Sequence, residues 1–320
     1  MPDAGLRILV VGAGATGGYF GGRLAERGAD VTFLVRARRS AQLAADGLAI
    51  KSPCGNFTLR SPRTVLAEDL RAQFDVVLLS CKAYDLDSAI ASFAPAVGSR
   101  TAILPVLNGM RHLDVLDACF GRERVLGGQC IIAATLDERG AIVHLNDAHS
   151  LTFGERDGGL SDRVRAIAEA MAGARFEARP SGQATQEMWE KWTALATLAA
   201  GTCLMRAAIG DILAAPAGES VISGLLSECA AIAEANGHAP RAAFIDKMRA
   251  TLLQRGSTLT ASMLRDVERN GPTEADHIIG DLLARRPKAL GSDATPSLLE
   301  LAYSHLKAYD ARRARSPAPG

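Results

Sequence analysis

An excess of charge of either sign is missing from this chain. The 320 residues carry 36 lysines and arginines against 35 aspartates and glutamates, which gives a net charge of +1. Proteins that bind the nucleic-acid backbone need a basic surface, so this balance argues against a nucleic-acid partner. Long hydrophobic runs are also missing. The longest, 194–205, is too short to span a bilayer and ends at Arg206, so we expect no membrane segment.

Paired cysteines are missing too. The cysteines are scattered, without a C-x-x-C pair and without the clustering of a metal site: Cys54, Cys81, Cys119, Cys130, Cys203 and Cys229. This usage is typical of reduced thiols in a cytosolic protein and predicts no metal site. The first strand is expected to begin at Leu6, which leaves no room for a signal peptide. We therefore expect a cytoplasmic protein.

What the sequence does contain is a glycine-rich turn close to its start. A near-continuous apolar run over 6–11 predicts a strand buried on both faces of a parallel sheet. The pattern G-x-G-x-x-G follows at Gly12, Gly14 and Gly17, and helix-compatible sequence continues to Ala25. In dinucleotide sites the three glycines allow a tight turn, close approach of a pyrophosphate, and close packing of helix on strand. This order of elements predicts a dinucleotide site.

The end of the second predicted strand, 30–35, indicates which dinucleotide binds. An NAD site usually has an acidic residue there, which bonds the ribose 2′-hydroxyl. This chain has Arg36, with Arg38, Arg39 and Ser40 behind it. A guanidinium binds a 2′-phosphate, whereas a carboxylate repels it. The sequence therefore predicts NADP(H) as the cofactor.

Two polar residues follow later strands of the predicted sheet. Lys82 comes after the strand at 75–80, and Asn108 comes after the strand at 102–107. Ligands of open parallel sheets bind beyond the carboxyl ends of the strands. Both residues are therefore expected on the cofactor side, one as a cation and one as a neutral hydrogen-bonding group.

The length of the chain fits two domains better than one core. Strand signals stop near Gly182, and the remainder predicts helices whose starts carry prolines or capping-box-like sequence at Thr273 and Thr295. We predict an α/β fold, with an N-terminal Rossmann-type dinucleotide-binding domain over 1–181 followed by an all-α C-terminal domain over 182–320. Separate strands are expected at 126–134, 141–145 and 151–154, and helices at 183–206, 216–236, 240–255, 258–269, 273–286 and 296–312.

Several short motifs follow one another in a fixed order. They are Gly12, Gly14 and Gly17; Arg36; Cys81-Lys82-Ala83; Asn108-Gly109-Met110; Glu187-Met188-Trp189-Glu190-Lys191; Gly210-Asp211; Ser262-Met263-Leu264-Arg265-Asp266; and Thr273-Glu274-Ala275-Asp276 with Gly280. The ordered set covers most of the chain and resembles the ketopantoate reductase (2-dehydropantoate 2-reductase) family.

The resemblance implies roles at the matching positions. Lys191 would be the general acid that protonates the ketone oxygen as hydride reaches the carbonyl carbon, where negative charge develops. Glu274 would bind the substrate and orient that lysine, and Ser262 and Asn108 would help to bind the substrate. The implied cofactor contacts are Gly12, Gly14, Ala15, Thr16, Gly17, Arg36, Lys82, Asn108 and Glu274.

The chain departs from the family pattern on the helix of Lys191. The family commonly has asparagines four and eight residues after the lysine, on one helical face, and this chain has Leu195 and Ala199 there. Hydroxyls nearby, at Thr193, Thr197 or Thr202, would be the replacements for the lost polar groups. The alternative is a drier pocket that accepts a different branched or aromatic 2-oxo acid.

The leading function is therefore NADPH-dependent reduction of a 2-oxo acid, with ketopantoate to pantoate in pantothenate biosynthesis as the first expectation. The site is expected in the cleft between the domains. The alternatives are a reductase of another 2-oxo acid, a 3-hydroxy-acid or 6-phosphogluconate type of dehydrogenase, and an NADP(H)-binding regulator without turnover. The apolar faces of the helical half fit a homodimer and a monomer equally well.

Overall fold

The computed structural model of the chain describes residues 5–290 and 295–315. Residues 1 and 320, the outer limits of the two predicted domains, lie outside this range. The chain forms two compact units. The first consists of Met1–Leu107 and His112–Thr185, and the second of Asn108–Arg111 and Gln186–Gly320. The domain boundary predicted after residue 181 stays a prediction.

The first unit alternates strands and helices along the chain. Its strands are β1 Arg7–Val11, β2 Asp30–Leu34, β3 Leu48–Lys51, β4 Phe57–Leu59, β5 Thr64–Val65, β6 Val76–Leu79, β7 Ala102–Pro105, β8 Gly127–Leu136, β9 Ile142–Gly154 and β10 Glu177–Pro180. Its α-helices are α1 Ala15–Glu26, α2 Ala37–Asp46, α3 Leu86–Phe93, α4 Arg111–Phe120 and α5 Asp162–Met171.

Five strands of this unit form a parallel sheet in the order β5-β2-β1-β6-β7. The central strand β1 is almost wholly buried, as its apolar run predicts. A second sheet has the order β10-β9-β3-β4, and β8 pairs with the opposite edge of β9. The parallel sheet with its helices confirms the predicted Rossmann-type fold of the N-terminal part.

Helix α1 packs closely on both sheets because glycines line its buried surface. A Cβ atom added to Gly21 would lie 2.7 Å from the ring of Phe33, which belongs to the parallel sheet. A Cβ added to Gly22 would lie 2.8 Å from the side chain of Ile50, which belongs to the second sheet. The two sheets and the helix consequently share one apolar core.

One long strand replaces two of the predicted ones. The segments 141–145 and 151–154 are both part of β9, so their separation into two strands is wrong. The residues between them are mostly polar, and 146–148 are exposed, which hides the continuity from a search for apolar alternation. The ladder with β8 is interrupted here by a shift of register between Ile132 and Ala134.

In the second unit every regular element among the described residues is helical, which confirms the predicted all-α C-terminal part. The α-helices are α6 Ala184–Met205, α7 Ile209–Ala214, α8 Gly218–Ala235, α9 Ala242–Leu252, α10 Ser262–Glu268, α11 Asp281–Ala284 and α12 Leu298–Arg315. A π-helical turn, Asp276–Gly280, precedes α11. The short helix α7 was not expected from the sequence, and its apolar residues Ile209, Ile212 and Leu213 belong to the core of this unit.

The two capping sites differ from the prediction. The sequence at Thr273 was expected to form a capping box with Asp276. The Thr273 hydroxyl instead donates to the Asp310 carboxylate, and the Asp276 carboxylate accepts from Tyr303 and Lys307, so this capping box does not form. The capping box of α12 lies two residues after Thr295. There the amide of Ser297 donates to the Glu300 carboxylate at 2.8 Å, and the amide of Glu300 donates to the Ser297 hydroxyl at 3.3 Å.

No helix in the described part of the chain is long and apolar enough to cross a membrane.

Candidate active site

The glycine turn after β1 has the geometry that a dinucleotide site requires. Gly12 has φ +91°, a conformation that side chains rarely adopt, and its amide donates to the carbonyl of Leu34 at 3.0 Å. A Cβ on Gly17 would lie 2.1 Å from the Ser80 hydroxyl and 2.3 Å from the Gly12 carbonyl. Both positions therefore require glycine, one for the turn and one for the contact between helix and strand.

The start of α1 is open to a ligand. Gly14 is exposed, and a Cβ added there would meet nothing within 4 Å. Ala15 and Thr16 supply the first amides of the helix, and the first turn has no acidic residue and no side-chain cap. Free amides and the positive end of the helix dipole favour an anion. These residues fit the diphosphate of a dinucleotide.

Arg36 lies at the end of β2, where it precedes α2. Its side chain is 76% exposed, and its guanidinium donates to Oδ1 of Asp85 at 2.7 Å. This hydrogen bond and the charge of Asp85 raise the pKa of Arg36. The guanidinium therefore remains charged, reaches solvent, and already has an anionic neighbour.

Arg39 does not share this arrangement. Its Nε donates to the carbonyl of Ala13 at 3.0 Å, and another guanidinium nitrogen donates to the carbonyl of Gly140 at 2.9 Å. Burial lowers the pKa of this half-buried side chain. The expectation that Arg39 adds to a basic patch for the 2′-phosphate is wrong, because it is bonded to the main chain beside the glycine turn.

Lys82 follows β6, and its carbonyl accepts the amide of Asp85 at 2.9 Å. The lysine is half-buried. Its contact with the cofactor stays a prediction.

In the second unit, Lys191 lies on α6 and is half-buried. Its Nζ donates a hydrogen bond to Oδ1 of Asn108 at 3.1 Å. The two residues are 83 positions apart in the chain. The structure thus joins the residue with the implied acid role to one of the residues with an implied substrate role.

The segment 108–111 packs against the π-helical turn. Gly109 has φ +77°, and a Cβ there would lie 2.7 Å from the carbonyl of His277. The His277 ring is hydrogen-bonded to the main chain of Asn108. Burial lowers the pKa of His277, although Glu274 and Asp281 act in the opposite direction, so the neutral ring is favoured.

Trp192 connects α6 to the same turn. Its indole N–H donates to the carbonyl of Ile278 at 2.8 Å, and the side chain is 1% exposed. Lys191, the residue before Trp192, is therefore held by its own bond to Asn108 and, through its neighbour, by the bond of Trp192 to the π-helical turn. Neither Trp192 nor His277 was singled out from the sequence. The π-helical turn, a feature often found at functional sites, appears only in the structure.

Glu274 and Ser262 lie near the beginnings of two helical elements in the second unit, the π-helical turn and α10. Glu274 is buried, and its carbonyl accepts the amide of Ile278 at 2.9 Å. Ser262 is the first residue of α10 and is half-buried. The catalytic and substrate roles of these two residues stay predictions.

An ion pair between the buried Glu190 and the half-exposed Arg241 holds the N-terminal half of α6. The carboxylate of Glu190 accepts from Nε of Arg241 at 2.7 Å and from its main-chain amide at 2.9 Å. Burial raises the pKa of Glu190, but the Arg241 hydrogen bonds and charge outweigh it, and the net pKa lies below the ordinary value. The pair fixes α6 one residue before Lys191.

The threonines near Lys191 do not replace the missing asparagines as donors. The hydroxyls of Thr193, Thr197 and Thr202 each donate to the carbonyl four residues earlier, at 3.0, 2.8 and 2.7 Å. Their protons are thus used inside α6. Leu195 is half-buried and Ala199 fully buried. The expectation of compensating hydroxyl donors is wrong in this arrangement.

Three of the cysteines differ in their surroundings. Burial raises the pKa of Cys203 and of Cys229 to about 12, so both remain thiols. Cys54 instead lies close to His144 and His149, with possible ligand atoms within 4.8 Å of one another. Spacing along the sequence does not reveal this cluster, because Cys54 lies about 90 positions before the two histidines, and the expectation of no metal site stays a prediction.

Comparison with known proteins gives the context for this geometry. Residues 8–158 match the family described as ketopantoate reductase PanE/ApbA, and residues 183–310 match the C-terminal part of that family. The chain belongs to the ketopantoate reductase family. It is accordingly an oxidoreductase of a family that uses a pyridine nucleotide.

Individual members of the ketopantoate reductase family align over nearly the whole chain. An uncharacterized oxidoreductase of Bacillus subtilis, YkpB, is 38% identical over 96% of this chain and 100% of its own length. A 2-dehydropantoate 2-reductase of Halobacterium salinarum is 26% identical over 88% of this chain and 92% of its own. The crystal structure of 2-dehydropantoate 2-reductase from Methylococcus capsulatus matches with a TM-score of 0.84 and 28% identity, over 97% of this chain and 99% of that one.

Proposed function

We propose that the protein catalyses the NADPH-dependent reduction of a 2-oxo acid, with ketopantoate as the leading substrate and Lys191 as the general acid. The observation that carries the proposal is the hydrogen bond from Lys191 Nζ to Asn108 Oδ1 at 3.1 Å. It gives a flexible lysine a defined position, which a proton donor to a reacting oxygen requires.

The proposed role of Lys191 follows from its bonding capacity. An ammonium has three N–H donors. One is directed at Asn108, so two remain for a substrate carbonyl oxygen. Reduction adds a hydride to the carbonyl carbon and a proton to its oxygen, and Lys191 supplies that proton and regains one from solvent. The ammonium also stabilises the negative charge on oxygen before the proton moves.

NADP(H) is the proposed cofactor because of Arg36 and the open start of α1. The bound cofactor supplies the hydride. Gly12, Gly14, Ala15, Thr16 and Gly17 would hold its diphosphate. Arg36 would bind the 2′-phosphate by exchanging its hydrogen bond to Asp85 for stronger ones to the phosphate. Lys82, Asn108 and Glu274 are proposed as further contacts, Ser262 and Asn108 as substrate ligands, and Glu274 as the residue that orients Lys191.

Ketopantoate is the leading substrate because the named relatives from Halobacterium salinarum and Methylococcus capsulatus are 2-dehydropantoate 2-reductases. A second candidate rests on Leu195 and Ala199, which cannot bond a substrate hydroxyl. A site without polar partners favours substrates without the corresponding polar group. The second candidate is therefore a branched or aromatic 2-oxo acid that lacks the hydroxyl of ketopantoate.

The experiment is an absorbance assay of NADPH oxidation with the purified protein. The panel contains ketopantoate, its analogue without the hydroxyl, and an aromatic 2-oxo acid. Efficient turnover of ketopantoate supports a place in pantothenate biosynthesis, and preference for the analogue moves the assignment to the second candidate. Binding of NADPH without turnover of any 2-oxo acid contradicts the proposed function.

A further inference from the structure

A cluster of three metal-ligand side chains lies in the first unit, apart from every residue to which we assign a role in the reaction. The thiol of Cys54 and ring nitrogens of His144 and His149 lie within 4.8 Å of one another. Cys54 lies in the turn between β3 and β4, and both histidines lie on β9. Of the three, His144 is buried and the others are half-buried.

The interruption in the β8–β9 ladder brings the histidines together. Residues five apart on a regular strand point to opposite faces of a sheet. Here Ala134 pairs with His144 and Ile132 pairs with His149, so β9 contains three more residues than β8 between these pairs. An odd number of extra residues returns both rings to one face, where they stack with centroids 5.4 Å apart.

The hydrogen bonds of His144 fix which ring nitrogen carries the proton, and Nδ1 becomes a ligand atom once the Ser52 hydroxyl that now donates to it turns away. Its Nε2 lies 3.0 Å from the carbonyl of Ala148, and a carbonyl only accepts, so Nε2 carries the proton. The neutral ring then has a bare Nδ1, which accepts from the Ser52 hydroxyl at 2.9 Å. Metal-binding histidines typically donate their other ring N–H to a carbonyl or carboxylate in this way.

His149 has a comparable arrangement. Its Nδ1 lies 2.6 Å from the hydroxyl of Tyr19, which orients the ring. In the tautomer in which Nδ1–H donates to that hydroxyl, Nε2 has the lone pair that a metal ion needs. Burial lowers the pKa of His149, and the charges of His144 and Arg23 act in the same direction, whereas Asp147 opposes them. The nearby cation Arg23 is paired with Glu26 at 2.8 Å, which limits its repulsion of an incoming ion.

We propose that Cys54, His144 and His149 bind one zinc ion, which joins the turn between β3 and β4 to the irregular part of β9. One thiolate and two neutral imidazoles are ligands that zinc prefers, and water completes the tetrahedron. The thiol of Cys54 releases its proton on binding. Tetrahedral zinc holds its nitrogen and sulfur ligands about 3.5 Å apart, so the side chains move together by about 1 Å.

The test uses the full chain, stripped of metal with a chelator and titrated with Co²⁺ and Zn²⁺. We expect about one Co²⁺ per chain with a sulfur-to-cobalt charge-transfer absorption, which Zn²⁺ displaces. Cys54→Ser should abolish that absorption, and His149→Gln should weaken binding at least about 10-fold. The matched control is Cys119→Ser, which removes an exposed thiol elsewhere and should leave binding unchanged. Absence of stoichiometric binding, or binding that survives Cys54→Ser, overturns the proposal.

A second measurement needs no variant and covers the case in which Cys54→Ser does not fold. Iodoacetamide labelling of the native protein is followed by peptide mass spectrometry with and without Zn²⁺. We expect Zn²⁺ to slow alkylation of Cys54 and not of Cys119, and to raise the melting temperature by about 5 °C at saturating metal. Equal alkylation rates at Cys54 in both conditions overturn the proposal.

Discussion

The guanidinium of Arg36 donates to the carboxylate of Asp85 at 2.7 Å, and both side chains are substantially exposed. The pair connects the end of β2 to the start of α3, where the sequence places the residue that selects the cofactor. Arg36 favours a 2′-phosphate, whereas Asp85 repels one and is able to accept from a ribose 2′-hydroxyl. Under the proposed function, these two residues compete in setting the preference between NADPH and NADH.

Substitution of the pair should move the preference in opposite directions. Arg36→Ala should lower kcat/KM for NADPH by about 10- to 100-fold, because a charge-assisted hydrogen bond is lost, with little change for NADH. Asp85→Asn should raise the ratio of kcat/KM for NADPH over NADH several-fold. The measurement is a steady-state assay with both cofactors. Arg63→Ala, which breaks the exposed pair with Asp30, is the control and should change neither value. Loss of both cofactors in Arg36→Ala would argue for a structural role.

Removal of the proposed acid should separate chemistry from cofactor binding. Lys191→Met keeps most of the length of the side chain and removes the ammonium proton, so kcat should fall by about 100- to 10,000-fold. The dissociation constant for NADPH, measured by fluorescence titration, should change by less than about 3-fold. Asn108→Ala should lower kcat less, because it frees the ammonium without removing it. A Lys191→Met variant with full turnover would contradict the proposed mechanism.

Several features of the fold were predictable because their signals are local. The apolar run of β1, the glycines after it and the change to helical periodicity near Gly182 are each contained in short segments. The contact between Lys191 and Asn108 joins residues 83 positions apart and has no local signal. The metal-ligand cluster was missed for a related reason. His144 and His149 share a face only because β9 has extra residues opposite β8, which depends on the pairing of strands.

The arginines after β2 show that residue type alone does not predict which group a side chain contacts. Arg36 and Arg39 are equally basic in sequence, and both were expected to favour a phosphate. The structure directs Arg39 to the carbonyls of Ala13 and Gly140 because α2 turns its side chain toward the glycine turn. The positive charge of Arg39 was predictable from the sequence, but the direction in which its side chain points was not.

The polarity of the side chain at position 195, four residues after Lys191 on α6, should determine which 2-oxo acid the protein prefers. Leu195→Asn restores a polar group four residues after Lys191, so it should raise kcat/KM for ketopantoate over its analogue without the hydroxyl by about 10-fold. The measurement is a competition assay with both acids and NADPH. A ratio that Leu195→Asn leaves unchanged would mean that this position does not contact the substrate.

The close approach of Gly109 to His277 should be costly to disturb. Gly109→Ala puts alanine in a left-handed backbone conformation and places its Cβ 2.7 Å from the carbonyl oxygen of His277. Both effects are unfavourable, so the free energy of unfolding should fall by about 2–4 kcal/mol. Gly256→Ala is the control. Its glycine has φ +70° with nothing within 4 Å, so only the backbone penalty of about 1 kcal/mol applies. Chemical denaturation measures both. Equal losses would show that the segment at Gly109 shifts freely.

The ion pair between the buried Glu190 carboxylate and Arg241 should make stability depend on pH in a defined direction. The pKa of Glu190 is lowered in the folded protein, so between the folded and unfolded values the unfolded chain binds more protons. Its contribution is therefore complete above about pH 4.5 and is lost as the pH falls through the folded pKa.

Glu190→Gln should consequently lower the free energy of unfolding by about 1–3 kcal/mol at pH 7 and by less near pH 3. The measurement is denaturant unfolding across this range. Glu219→Gln, which alters an exposed pair with Arg255, should change stability by less than about 0.5 kcal/mol at either pH. A Glu190→Gln penalty that does not change with pH would mean that packing, and not the carboxylate charge, holds α6 beside Lys191.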